Sequence, residues 1–212
     1  MKLIVLSESE ADEAAVRLIA EGILGIEVDW QQGLRRRSRG DASLPNLLRT
    51  HLVALHHQTD VDGLIVVVDS DETPLHRPEH EPDFEEPGCR LCQLKKIAID
   101  FASRSRPRSS GRPLKTAIGL AAPEIEAWYL CGLEPWATEA GWLAALDSRK
   151  HATYRKRLKP AAYGIDRAPL GLMTSKARDH ATRLVADLKH LEDCFQNGFG
   201  PLAREIRLWG SD

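Results

Sequence analysis

Acidic residues follow three hydrophobic runs of this chain. Glu8 comes just after Leu3-Ile4-Val5-Leu6, Asp69 and Asp71 follow Leu64-Ile65-Val66-Val67-Val68, and Glu124 and Glu126 stand shortly beyond Thr116 to Leu120. Carboxylates gathered on one edge repel each other unless a cation sits among them. Hard oxygen ligands of this kind suit Mg²⁺ or Mn²⁺, which use a few carboxylates and keep waters for a phosphate-bearing substrate. In Asp69-Ser70-Asp71, alternate residues leaving a strand should point the same way and aim both carboxylates at one ion. The plainer alternative is that Glu8 and Glu10 cap a helix while Asp69 and Asp71 begin a loop.

Softer ligands occur in His76-x3-His80-x8-Cys89-x2-Cys92. The residue types and local spacings are compatible with tetrahedral Zn²⁺. Their order is the reverse of an ordinary Cys2His2 finger, and the loop between the pairs is short. The expectation is therefore a surface insertion with incidental residues, with zinc as the alternative. Cys131 and Cys194 fall on apolar helix faces and are expected in the core.

Basic residues form three groups. Arg35, Arg36, Arg37 and Arg39 make one loop. Arg104, Arg106, Arg108, Arg112 and Lys115 make another, and Arg149, Lys150, Arg155, Lys156, Arg157 and Lys159 a third. They could neutralise the phosphates of a nucleic acid, or be solvated surface balanced by the acidic stretch Glu79 to Glu86. Arg167, close to Pro169, could clamp a phosphate. Neither a P-loop nor a Gly-x-Gly-x-x-Gly stretch is present, which weakens ATPase and dinucleotide readings. No Ser/His/Asp arrangement can be recognised from spacing.

The elements that must position these residues alternate. Leu3–Leu6, Ile26–Trp30, Leu64–Val68 and Thr116–Leu120 read as strands, the second being short. The continuous apolar runs are those of strands buried on both faces. Between them, helices are expected from Ser7 or Ser9 to Gly22, from Leu44 to Gln58 and from Leu91 to Ala102. Residues 72–90 carry no periodicity and read as a loop. Pro123 suits the first turn of a helix carrying Glu124, Glu126 and Trp128. One long apolar stripe predicts a helix over Thr174 to Phe195, and a short helix ends near Trp209. Alternation of this kind implies a mostly parallel sheet with right-handed crossovers, whose ligands bind outside the carboxyl ends of the strands.

Composition sets the outer bounds. The chain has 212 residues, 42% hydrophobic and 28% charged, which excludes a mostly disordered polymer. A net charge of −2 gives no global case for nucleic acid or membrane, so any such case rests on local patches. No apolar run approaches the ~20 residues of a membrane span. The first apolar stretch is too short for a signal peptide and meets Glu8, Glu10, Asp12 and Glu13 at once. Four cysteines without an export signal are expected to be reduced thiols in the cytoplasm.

Glu8-Ser9-Glu10-Ala11-Asp12 after the first hydrophobic run resembles the first motif of Toprim domains, Glu-Gly-x-x-Asp. Val68-Asp69-Ser70-Asp71 resembles their Asp-x-Asp motif, and the interval between the two fits. Ala122-Pro123-Glu124-Ile125-Glu126-Ala127-Trp128 resembles the Glu-x-Trp stretch of small stand-alone Toprim-like proteins, some of which occur near mobile-element or defence genes. Ser9 departs from the pattern, standing where the family usually has glycine. The resemblance implies an α/β Toprim-like, Rossmann-like sheet of four strands over residues 1–131, with a helical extension over 132–212 packed on it.

It also implies Mg²⁺ or Mn²⁺ held by Asp69 and Asp71, with Glu8 a further ligand or the general acid/base and Glu126 a further catalytic carboxylate. The expected activity is nuclease-type phosphodiester cleavage, with Arg104, Arg106, Arg108, Lys115 and Arg167 meeting the substrate. The partners expected are DNA or RNA, or a protein of a defence-type operon. A degenerate binding module without catalysis is one alternative. A small phosphatase or nucleotide-processing enzyme is another.

Overall fold

The computed structural model describes residues 1–32, 44–58 and 60–210. The basic loop from Arg35 to Arg39 lies outside the described residues. Four parallel strands form one sheet: β1 (Lys2–Leu6), β2 (Asp29–Trp30), β3 (Gly63–Asp69) and β4 (Lys115–Ala121), in the order β2-β1-β3-β4. Register fixes which ends meet. Leu6 pairs with Val66 and Asp69 with Ala121 at the carboxyl ends, while Lys115 pairs with Gly63 at the amino end.

Helices cover both faces, and strand side chains alternate between two cores. Leu3, Val5, Ile65, Val67 and Ala117 face one. Ile4, Leu6, Leu64, Val66, Val68, Ile118 and Leu120 face the other. The second core is closed by α2 (Leu44–His57), through Leu48, Leu52 and Leu55, and by α3 (Arg90–Arg104), through Leu91, Leu94 and Ile97. The first is closed by α1 (Glu10–Leu24) and by the helices of the C-terminal third.

Ser9 caps α1 by accepting a hydrogen bond from the Asp12 amide at 3.2 Å. Its φ of −140° is extended backbone, so the position has no need of the glycine usual in the motif it resembles.

The C-terminal third comprises α4 (Glu126–Leu130), α5 (Glu139–Asp147), α6 (His151–Tyr163), α7 (Leu170–Val185), α8 (Leu188–Cys194) and α9 (Phe199–Trp209). It shares one core with the sheet: Leu3, Val67, Trp128, Phe195, Leu202 and Trp209 belong to a single hydrophobic cluster. The approach to β4 is close. A Cβ on Gly119 would sit 2.9 Å from Leu202, and one on Gly198 would sit 2.0 Å from the Leu120 carbonyl oxygen. The Leu120 amide donates to the Gly198 carbonyl at 3.2 Å, and the Ile118 amide donates to Glu205 Oε2 at 3.2 Å.

Three expectations need correction. The helix expected over Thr174 to Phe195 is two helices, because the chain turns at Ala186-Asp187 and the Asp187 carboxylate starts α8 by accepting from the His190 amide at 3.0 Å. The second strand shrinks to Asp29–Trp30. The helix beyond Pro123 begins only at Glu126 and lasts five residues.

Candidate functional site

The carboxyl ends of β1, β3 and β4 carry the acids. Asp69 is the last residue of β3, and its Oδ1 accepts from the Ile125 amide at 2.9 Å. Glu8, just past β1, reaches over so that its Oε1 accepts from the Asp69 amide at 3.3 Å. Asp12 comes up from the first turn of α1, buried, with its oxygens held by Ser9 Oγ at 2.8 Å and Tyr129 Oη at 3.3 Å. Glu124 and Glu126 enter from the β4–α4 connection, and both are buried. Tyr163 donates to Glu126 Oε1 at 2.9 Å.

This packing acts on the protons. Burial first, then the charges of Glu8, Glu126, Asp12 and Glu124, raises Asp69 well above the usual carboxylate range. Burial pushes Glu126 up to about 7, with Lys159 opposing and Glu124 and Asp12 adding to the shift. Asp12 is raised as well, chiefly by burial.

Asp71 is aimed elsewhere. The strand ends at Asp69, and Asp71 sits in left-handed backbone with φ +50°, so the alternation expected of Asp-x-Asp stops before reaching it. One Asp71 oxygen meets Arg90 at 2.9 Å and the other meets Arg155 at 3.0 Å. Arg90 also donates to the Asp69 carbonyl.

The cations of this edge come from α3 and α6. Arg155 binds Glu124 at 2.7 Å as well as Asp71, and Lys159 lies 3.6 Å from Glu124 Oε2. Burial pulls the Lys159 ammonium down, but Glu126, Glu124 and Asp69 outweigh it and hold it above its ordinary value. Arg155, Lys159 and Tyr163 are spaced by four and share one face of α6. That spacing was the signal in the sequence for a helix side turned toward the acids. Asp12, Arg90 and Tyr129 also belong to this edge, and no spacing in the sequence marks the last two.

The basic group expected to meet substrate lies at the other end of the sheet. α3 starts beside Asp71 and runs away for 15 residues, so Arg104 is roughly 21 Å along the helix axis from Arg90. Arg106 follows it there, and Lys115 begins β4 at the amino edge, its Nζ 3.3 Å from the Trp209 carbonyl. These three cannot touch a phosphate held at Asp69. Arg108 is corrected outright. It is buried and donates to the carbonyls of Leu55 at 3.3 Å, Val61 at 2.8 Å and Gln58, tying down the end of α2. Arg167 is exposed on the turn after α6, four residues past Tyr163.

The zinc-type residues are also placed differently from the expectation. Instead of scattering over a surface insertion, His76, His80, Cys89 and Cys92 present ligand atoms that all lie within 4.8 Å of one another, with three of the four residues buried. A second set, Cys131, His190 and Cys194, has three members.

The carboxylates at the strand ends are a looser group. Among the described residues, the sets converging within 4.8 Å are the two Cys/His ones. The acids nonetheless offer the hard oxygen donors that Mg²⁺ or Mn²⁺ takes, and such ions complete their shells with water.

Comparison of the chain with protein-family models, with curated proteins and with solved structures finds no match. Among the described residues, no helix is long and apolar enough to cross a membrane.

Proposed function

We propose that the carboxyl-end edge is a Toprim-type, divalent-cation-dependent phosphoryl-transfer site that cleaves phosphodiesters of nucleic acid. The observation that carries this reading is the gathering of Glu8, Asp12, Asp69, Glu124 and Glu126 at the carboxyl ends of three strands, where burial first and the neighbouring carboxylates second raise Asp69 and Glu126. An edge built this way is relieved by a cation. Glu8 and Asp69 would hold it. When bound, Mg²⁺ or Mn²⁺ supplies charge neutralisation at the phosphate and lowers the pKa of a coordinated water.

The chain's own residues supply the rest. Glu126, poised near 7, can accept the proton of an attacking water, since a general base works best near ambient pH. Tyr163 fixes the orientation of that carboxyl. Arg155 and Lys159 stand beside the acids and can bind the non-bridging phosphate oxygens, the role expected from the sequence for Arg104, Arg106, Arg108, Lys115 and Arg167.

One observation favours a second reading, a binding module without catalysis: both oxygens of Asp71 are already taken by guanidinium groups. Titration with Mn²⁺, followed by calorimetry and by cleavage of DNA and RNA, separates the two. Catalysis predicts Mn²⁺ binding and cleavage that are both lost in Asp69→Asn. Binding without cleavage of any nucleic acid supports the module, and an absence of Mn²⁺ binding refutes the metal site.

A further inference from the structure

The loop between β3 and α3 contains a site that the phosphoryl-transfer reading does not use. Cys92 Sγ lies 3.4 Å from His76 Nδ1 and 3.5 Å from His80 Nδ1, and Cys89 Sγ lies 3.7 Å from His76 Nδ1. Zn–S bonds of ~2.3 Å and Zn–N bonds of ~2.0–2.1 Å, set at the tetrahedral angle, place sulfur and nitrogen about 3.5–3.6 Å apart. The three separations straddle that value. We infer that His76, His80, Cys89 and Cys92 bind one structural Zn²⁺ as a closed Cys2His2 site.

The surroundings fit the same ion. Cys89 and Cys92 are fully buried and His76 is 2% exposed, with His80 half-buried at the rim, so three of the four ligands are shielded from solvent as in structural zinc sites. His76 turns its other ring nitrogen to Glu81 Oε1 at 3.3 Å, the carboxylate–histidine pairing that fixes a metal-bound imidazole. Cys89 is the N-cap of α3 and Cys92 lies in its first turn, so the start of one helix carries both sulfurs. Binding sends the two thiol protons to solvent and leaves two thiolates and two neutral imidazoles around Zn²⁺, with no net charge.

The loop that the ion would close runs from Thr73 to Gly88 and contains only one 3₁₀ turn, Pro78–His80. Just beyond its far end, one residue past Cys89, Arg90 opens α3 and grips the Asp69 carbonyl and the Asp71 carboxylate. The zinc therefore anchors the start of α3 and sets the position of Arg90 at the acidic edge. This inference does not depend on the function proposed for that edge, and its test contains no Mg²⁺ or Mn²⁺.

The experiment is elemental analysis of the purified full chain, followed by replacement of the metal with Co²⁺. The expected result is about one zinc per chain, and a Co²⁺ form with the intense visible bands and thiolate charge-transfer absorption of a tetrahedral sulfur-containing site. Thiol titration under native conditions should find Cys89 and Cys92 becoming reactive only when a chelator is added, with buried Cys131 unreactive before and after. Cys89→Ser with Cys92→Ser should lose the metal, and Cys131→Ser with Cys194→Ser should keep it. Because the first double variant could unfold, Glu81→Gln serves beside it, with an expected loss in zinc affinity of roughly tenfold or more. Zinc that stays far below stoichiometric after titration with zinc chloride, or a Co²⁺ form lacking thiolate charge transfer, overturns the assignment. Loss of the metal in the Cys131, Cys194 variant overturns it equally.

Discussion

Replacing Glu126 by glutamine should stabilise the metal-free protein, and only above a particular pH. The wild-type carboxyl is shifted from an ordinary 4.5 to about 7, burial being the main cause. A shift of roughly 2.5 units corresponds to about 3 kcal/mol at ~1.36 kcal/mol per unit. The sign follows from linkage. The folded state holds this proton more tightly than the unfolded chain, so the contribution is fully present below about pH 4.5 and is lost as pH rises toward 7. Glutamine does not titrate and keeps an acceptor for the Tyr163 hydroxyl. Near pH 8 the variant should therefore gain up to about 3 kcal/mol over wild type, or roughly 6–12 °C in Tm for a chain of this size. Near pH 4.5 the two should melt together. Mn²⁺ should narrow the gap at high pH, because it relieves the ionised wild-type cluster. Paired thermal melts across this range, with and without Mn²⁺, are the assay. A difference independent of pH, or a variant less stable near pH 8, refutes the account of Glu126.

Two further outcomes follow from the cations. Arg108→Ala should destabilise the fold by about 2–4 kcal/mol, because three backbone carbonyls lose a charged donor, while binding of DNA or RNA stays unchanged; denaturant melts and a salt titration of binding check both halves. Arg155→Met should free one Asp71 oxygen and uncover Glu124, lowering nucleic-acid affinity while strengthening Mn²⁺ binding; calorimetry that shows both weakened would contradict the roles given to the two charges.

The sheet was readable because its central strands are buried on both faces, and that leaves continuous runs such as Leu64 to Val68 that no exposed helix would carry. The break in the last long stripe was not readable, since Leu184, Leu188 and Leu191 keep helical spacing straight across Ala186-Asp187. The acids at strand ends were visible as residues, but where they point was not. Asp71 turns away because it is itself left-handed, two positions past the end of the strand, and side-chain alternation does not survive that turn. Basic residues were the least legible. Composition cannot distinguish Arg108, which is drawn inward by three carbonyls, from Arg155, which faces carboxylates brought in from elsewhere in the chain. The His and Cys residues looked incidental because spacing alone does not show that the loop folds three of them beneath its surface.

The bonds that join Leu120 to Gly198 and Ile118 to Glu205 also determine what the sheet can recruit. β4 is an edge strand, and an open edge of seven residues invites a strand from another chain. Here the outward amides of Ile118 and Leu120 are already spent on the start and middle of α9, and Leu202 fills the space above Gly119. The opposite edge, Asp29–Trp30, is only two residues long. The sheet is thus closed to extension at β4 and offers little template at β2. Among the described residues, the β4 edge offers an added strand no free amide at Ile118 or Leu120. Opening the β4 edge requires α9 to lift away, which would also expose Trp209 and Leu202 and unpack the core they share with α1.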